Sequence, residues 1–170
     1  MTVRRLAPYA TTIFAEMSQE AARHDAINLG QGFPDSDGPT SMIEAAAAAM
    51  RAGHNQYPPG AGMAELRLAI AELEAARTGL VRDPDSEVLV TVGATEAIAG
   101  AVVGLVEPDD EVVVIEPYYD SYAATVAMAG ATRRPARLRY SDGRYRLDVD
   151  SIRAAFSPRT RAVLVNTPHN

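Results

Sequence analysis

The chain has 170 residues, 47% of them apolar, and a net charge of -6, which allows one domain with a core and opposes a general nucleic-acid surface. No apolar run reaches membrane-spanning length and none follows Arg4 and Arg5, so neither a span nor a signal peptide is expected. The absence of cysteine removes disulfides, thiolate catalysis and zinc-thiolate sites and fits the cytoplasm, while three scattered histidines argue against a dedicated metal site.

In chain order, residues 1–26 read as an irregular arm with a short helical piece around Ile13 to Ala22. "INLGQGFPDSDGP" follows as a loop dense in turn residues. Ser41 and Glu44 have the spacing of a capping box, and the helix they open runs through the alanines to Gly53. After the loop "NQYPPGAG", Met63, Leu66, Ile70 and Leu73 recur at helical spacing. Glu87 to Val92 reads as a strand and Thr95 to Leu105 as a helix. Glu111 to Glu116 is apolar enough for a central parallel strand. Ser121 to Ala129 reads as a helix. Thr132 to Tyr140 and Arg144 to Leu147 flank Asp142-Gly143, a tight hairpin signal. A helix over Val149 to Phe156 and a strand over Arg161 to Asn166 complete the pattern. Strands alternating with helices predict an α/β fold: a mostly parallel sheet flanked by helices in three layers.

Three stretches can carry chemistry. In "VTVGATEAIAG" a strand ends, Gly93 opens a turn, and a helix begins at about Thr95. Such a start presents backbone N–H groups and the positive end of the helix dipole, which suits a phosphate. The plainer reading is an ordinary strand-to-helix connection capped by Thr95. It is not the dinucleotide fingerprint, because the second and third glycines of G-x-G-x-x-G are missing. In "EPYYDSY", Tyr118, Tyr119 and Tyr122 follow a buried strand, and a ring there could stack on a flat heteroaromatic group or simply pack. In "NTPHN", Asn170 can donate and accept hydrogen bonds and so orient a phenolic oxygen; His169 reads as a turn residue. The loops "LGQGFP" and "NQYPPGAG" add the backbone of Gly30 and Gly32 and the hydroxyl of Tyr57.

In this order, "INLGQGFPD", "NQYPPGAG", "VTVGATEAI", "EPYYDSY" and "NTPHN" resemble the aspartate-aminotransferase-like superfamily of fold type I pyridoxal-phosphate enzymes. Within it, the chain is most similar to the kynurenine and methionine aminotransferase branch and its actinobacterial N-succinyldiaminopimelate aminotransferases. The resemblance covers nearly all 170 residues. It implies pyridoxal 5'-phosphate as cofactor, an amino acid and a 2-oxo acid as substrates, and a homodimer with shared active sites. It divides the chain into an arm and substrate loop, 1–38, and the first part of the cofactor-binding large domain, 39–170. Gly93, Ala94 and Thr95 match the phosphate-binding segment, Tyr119 the aromatic that stacks on the pyridine ring, and Asn170 the asparagine on the phenolic oxygen. Tyr57 matches the tyrosine that reaches the neighbouring subunit's phosphate, and Gly32 the glycine that contacts the substrate carboxylate.

Four family elements are missing: the aspartate facing the pyridine nitrogen, the tyrosine near the phenolic oxygen, the Schiff-base lysine and the carboxylate-clamping arginine. The lysine can be checked without any alignment, because all 16 basic residues are arginine. Transamination needs an amine to carry the cofactor and shuttle a proton, so the chain is expected to be an N-terminal fragment, inactive alone. A carbon–sulfur lyase of the same fold, or a non-catalytic relic, would share every motif present.

Overall fold

The computed structural model describes residues 3–30, 32 and 34–168. These form two compact units, residues 32–92 and the remainder. In the larger unit, a short 3-10 turn, Arg4–Tyr9, precedes α1, Ile13–Arg23. Thr12 caps α1 by accepting a hydrogen bond from the Ala15 N–H at 3.2 Å. After residue 92 come α4 (Gly93–Leu105), β1 (Glu111–Glu116), α5 (Ser121–Met128), β2 (Thr132–Ser141), β3 (Arg144–Leu147), α6 (Val149–Ala155) and β4 (Thr160–Leu164).

The strands form one sheet in the order β3-β2-β1-β4. β1 lies parallel to both β2 and β4, and β3 turns back antiparallel to β2. The fold is therefore α/β with a mostly parallel sheet, as expected. β1 is central, so both of its faces are covered and Val112, Val113 and Val114 are at most 1% exposed. Alternation sends Val112 and Val114 into a core with Val102, Val106, Tyr122 and Val126 of the α4–α5 side. Val113 turns the other way, onto Ala136 and Ala155, where α6 packs. The β2–β3 turn takes left-handed backbone at both Asp142 (φ 51) and Gly143 (φ 73), the geometry that matches a twisted two-stranded ribbon.

A buried carboxylate ties the amino edge of the sheet together. Glu111, 1% exposed, accepts hydrogen bonds from Ser157 Oγ at 2.7 Å and Arg159 Nη2 at 2.6 Å. Arg134 Nε stands 3.5 Å away. The Ser157 and Arg159 bonds hold the Glu111 carboxyl below its usual range.

The unit 32–92 contains α2 (Thr40–Arg51) and α3 (Ala64–Thr78). Two local expectations need correction here. α2 starts two residues earlier than the capping box required, behind Pro39, and no side chain caps it. Ser41 is thereby inside the first turn, where its hydroxyl no longer occupies the capping position. The helix does end as expected, with Gly53 just past it at φ 94. The second correction is larger: Glu87–Val92 forms no strand. A strand exists only through a ladder partner, and among the described residues none flanks this segment. Its sheet-like periodicity survives, with Val88 and Val90 half-buried and Leu89 exposed, and Val90 N–H donates to the Ala61 carbonyl at 3.0 Å. The face of α3 made by Leu66, Ile70 and Leu73 is likewise exposed.

Candidate active site

The carboxyl ends of β1, β2 and β4 share one edge of the sheet, because the three strands are parallel. α4 reaches the same edge. Its last residue, Leu105, has a carbonyl that accepts from Arg161 Nε at 2.9 Å, and Arg161 is at the beginning of β4. The end of α4 therefore lies by the amino edge, and the helix runs antiparallel to β1. Its 13 residues rise about 20 Å, much as the six residues of β1 do. The helix start is thus carried to the carboxyl edge, where open α/β sheets bind ligands.

At that start, helical structure begins at Gly93 rather than at Thr95, so Gly93, Ala94 and Thr95 make up the first turn. All three are exposed. Gly93 has φ 74, a left-handed backbone that glycine adopts without strain, and a Cβ built there would meet nothing within 4 Å. There is room beside the Gly93 Cα, and the helix dipole favours an anion at this end. Glu96 adds an acidic group to the same turn.

Pro117 to Asp120 connect β1 to α5 at this edge. Tyr119 is half-buried between Phe14 of α1 and Tyr122 of α5, with ring centroids 6.0 Å away on each side. It packs against the same core as Ile98, three residues past Thr95. Tyr118 shares Tyr122 with it: its ring stacks on Tyr122 at 6.2 Å and receives the Arg133 guanidinium at 5.5 Å from its centroid. Burial raises the Tyr118 phenol above its ordinary value, and nearby Arg133 opposes the rise. Tyr118 lines an open cleft of about 610 Å³ with Tyr9, Glu116, Asp120 and Arg137. A second cleft of about 370 Å³ also includes Tyr118, together with Leu138, Tyr145, Asn166 and Thr167.

The structure therefore brings the first turn of α4 and Tyr119 to one edge. Tyr57 is 98% exposed and belongs to the unit 32–92. Gly32 is exposed, with open space around it. Asn170 and His169 lie outside the described residues. Two residues that pack on these tyrosines escaped the sequence reading. Phe14 packs on Tyr119 from more than a hundred positions away, and Arg133 covers Tyr118; neither carries a local signal. The one available hint for Phe14 was Thr12, whose cap fixes where α1 begins.

Comparison with known proteins gives the family. The family model for aminotransferase class I and II matches residues 24–170. A probable N-succinyldiaminopimelate aminotransferase, DapC, from Mycobacterium tuberculosis is 61% identical over 171 residues, covering all of this chain and 43% of its own length. The methionine aminotransferase of Escherichia coli K12 is 44% identical over 98% of this chain and 42% of its own length. The solved structure of N-succinyldiaminopimelate aminotransferase from Mycobacterium tuberculosis superposes with a TM-score of 0.93 at 59% identity, covering 100% of this chain and 44% of that one. The chain spans under half the length of the curated relatives it matches.

Proposed function

Because this chain belongs to the aminotransferase class I and II family, we propose that it is the N-terminal portion of a pyridoxal-phosphate-dependent aminotransferase that moves an amino group between an amino acid and a 2-oxo acid. The substrate pair is N-succinyldiaminopimelate with 2-oxoglutarate, the protein is cytoplasmic, and the working form is a homodimer. The observation that carries the reading is the 61% identity to the mycobacterial relative along the whole chain. Residues 1–38 serve as arm and substrate loop, and residues 39–170 begin the cofactor-binding domain.

The donor set fits the cofactor. Its phosphate belongs in the open space at the first turn of α4, where Gly93 and Ala94 allow close approach and the Thr95 hydroxyl adds a hydrogen bond. Tyr119 offers a ring held between Phe14 and Tyr122, so little rotational freedom is lost when it stacks on another flat ring. Asn170 orients the phenolic oxygen, and the backbone of Gly32 meets the substrate carboxylate. The exposed Tyr57 hydroxyl serves the phosphate of the neighbouring subunit. Bound, the cofactor supplies an electron-poor ring that takes up charge as the substrate α-carbon loses its proton. This chain binds and orients; the amine that carries the cofactor and moves that proton comes from elsewhere, since the sequence holds no lysine.

Amino-group transfer from N-succinyldiaminopimelate to 2-oxoglutarate by the complete protein tests the assignment. Failure with this pair but turnover of methionine or kynurenine would reject the substrate and keep the class. Release of pyruvate and a thiol in place of transfer would reject the class.

A further inference from the structure

The hairpin Thr132–Leu147 holds six of the chain's 16 arginines and one of its 22 acidic residues, for a net charge of +5. The rest of this acidic protein carries -11. The register sorts the hairpin's side chains by face. Arg139 stands directly opposite Arg146, Ser141 opposite Arg144, and Tyr140 opposite Tyr145. Because alternate residues share a face, Arg139, Ser141, Arg144 and Arg146 lie together. Leu138, Tyr140, Tyr145 and Leu147 take the other face, where the two tyrosine rings lie 5.2 Å apart.

Like charges placed directly across a strand pair destabilise it. Here the cross-strand pair Arg139–Arg146 is joined by Arg144 two residues along β3. All three are exposed, and among the described residues none of the three forms an ion pair. The other arginines of the hairpin differ. Arg134 faces Glu111, Arg137 faces Glu116 at 3.8 Å, and Arg133 covers the Tyr118 ring. Edge strands carry charge to block aggregation, which would account for Arg144 and Arg146 on the outermost strand. It does not account for Arg139, which lies on the inner strand of the pair.

We propose that Arg139, Arg144 and Arg146, with the Ser141 hydroxyl, form a binding site for a compact oligophosphate, an anion of two or more linked phosphates. The spacing supports this. Directly opposed residues have Cα atoms about 5 Å apart, and alternate residues on one strand about 6.7 Å. Three guanidinium groups on such a triangle can engage adjacent phosphates at once, each with paired N–H donors. A single orthophosphate would satisfy one or two of them. The hairpin's own two tyrosines take the other face, so these four side chains recognise phosphates and do not stack on a nucleobase. The bound anion also cancels the cross-strand repulsion, which links occupancy to hairpin stability.

The test is calorimetric titration of the protein with inorganic tripolyphosphate and with orthophosphate at equal ionic strength. Tripolyphosphate should bind at least about tenfold more tightly. Arg139→Gln and Arg146→Gln should each weaken it by about tenfold, and the triple variant with Arg144→Gln should abolish the preference. Arg51→Gln, an exposed control outside the hairpin, should change nothing. These side chains are exposed, so the folds should survive, and thermal melts without ligand should show the Arg146→Gln protein at least as stable as the wild type. A nucleoside triphosphate should bind no tighter than tripolyphosphate. Equal affinity for both inorganic anions would overturn the proposal, as would retained affinity in the triple variant. Aggregation of the variants with unchanged affinity would also overturn it and assign the arginines to edge protection.

Discussion

Replacing Gly62 with alanine should destabilise the protein by about 2–5 kcal/mol, the sum of two separable costs. Gly62 has φ 97, and a Cβ there would lie 2.5 Å from Val90 Cγ2 and 2.6 Å from Val90 Cβ. The left-handed backbone costs an L-residue about 1–2 kcal/mol. Forcing a methyl into a branched side chain adds about 1–3 kcal/mol. Backing away does not remove the second cost, because the neighbouring Ala61 carbonyl accepts the Val90 N–H at 3.0 Å and the bond is worth about 0.5–1.5 kcal/mol. Urea unfolding of the wild type, Gly62→Ala, Val90→Gly and the double variant would separate the terms. In the double variant the overlap is gone and the backbone strain remains, so the two losses should fall short of additivity by about 1–3 kcal/mol. A Gly62→Ala protein as stable as the wild type would refute both terms. Losses additive to within about 0.5 kcal/mol would refute the overlap alone. The contact matters to function because Val90 leads, three residues on, into the first turn of α4.

Three further outcomes follow from the same geometry. In the complete protein, Thr95→Ala should weaken cofactor binding by about twofold to tenfold, the worth of one hydroxyl hydrogen bond, because the backbone donors remain; fluorescence titration with pyridoxal phosphate reads this out, and unchanged affinity would remove Thr95 from the site. If Tyr57 serves the neighbouring subunit, mixing an inactive Tyr57→Phe subunit with one inactivated at the cofactor-carrying lysine should restore one intact site per heterodimer, and no recovery after proven subunit exchange would contradict the shared site. Glu111 has a lowered pKa in the folded protein. Its contribution to stability is therefore present above the unfolded carboxyl pKa and is lost as pH falls through the folded value; acid titration of unfolding should show this loss for the wild type and less of it for Glu111→Gln.

Much of the fold was written locally. The uninterrupted Val112-Val113-Val114-Ile115 run marks a strand covered on both faces, and the Asp142-Gly143 pair marks the hairpin that β2 and β3 form. What failed depended on partners. Glu87–Val92 alternates like a strand, yet alternation says nothing about whether a ladder neighbour is present. The Ser41–Glu44 spacing was right for a cap, but Pro39, two positions earlier, set the helix start. Glu111 reads in sequence as a polar strand end, and only Ser157 and Arg159, 46 and 48 residues later, make it a buried carboxylate. In the site, a helix start was legible from the turn glycine Gly93 and the hydroxyl of Thr95, although the helix begins at Gly93 itself. The aromatic setting of Tyr119 was not, because Phe14 reaches it only through tertiary packing.

The proposed division of labour is that this chain seats the cofactor while the amine comes from outside its lysine-free sequence. One assay tests it most directly: transfer of the amino group from N-succinyldiaminopimelate to 2-oxoglutarate, run with pyridoxal phosphate on the 170-residue chain and on the complete protein in parallel. Turnover is expected from the complete protein and none from the chain alone. Turnover by the chain alone would contradict it, since no lysine in the sequence could then be carrying the cofactor.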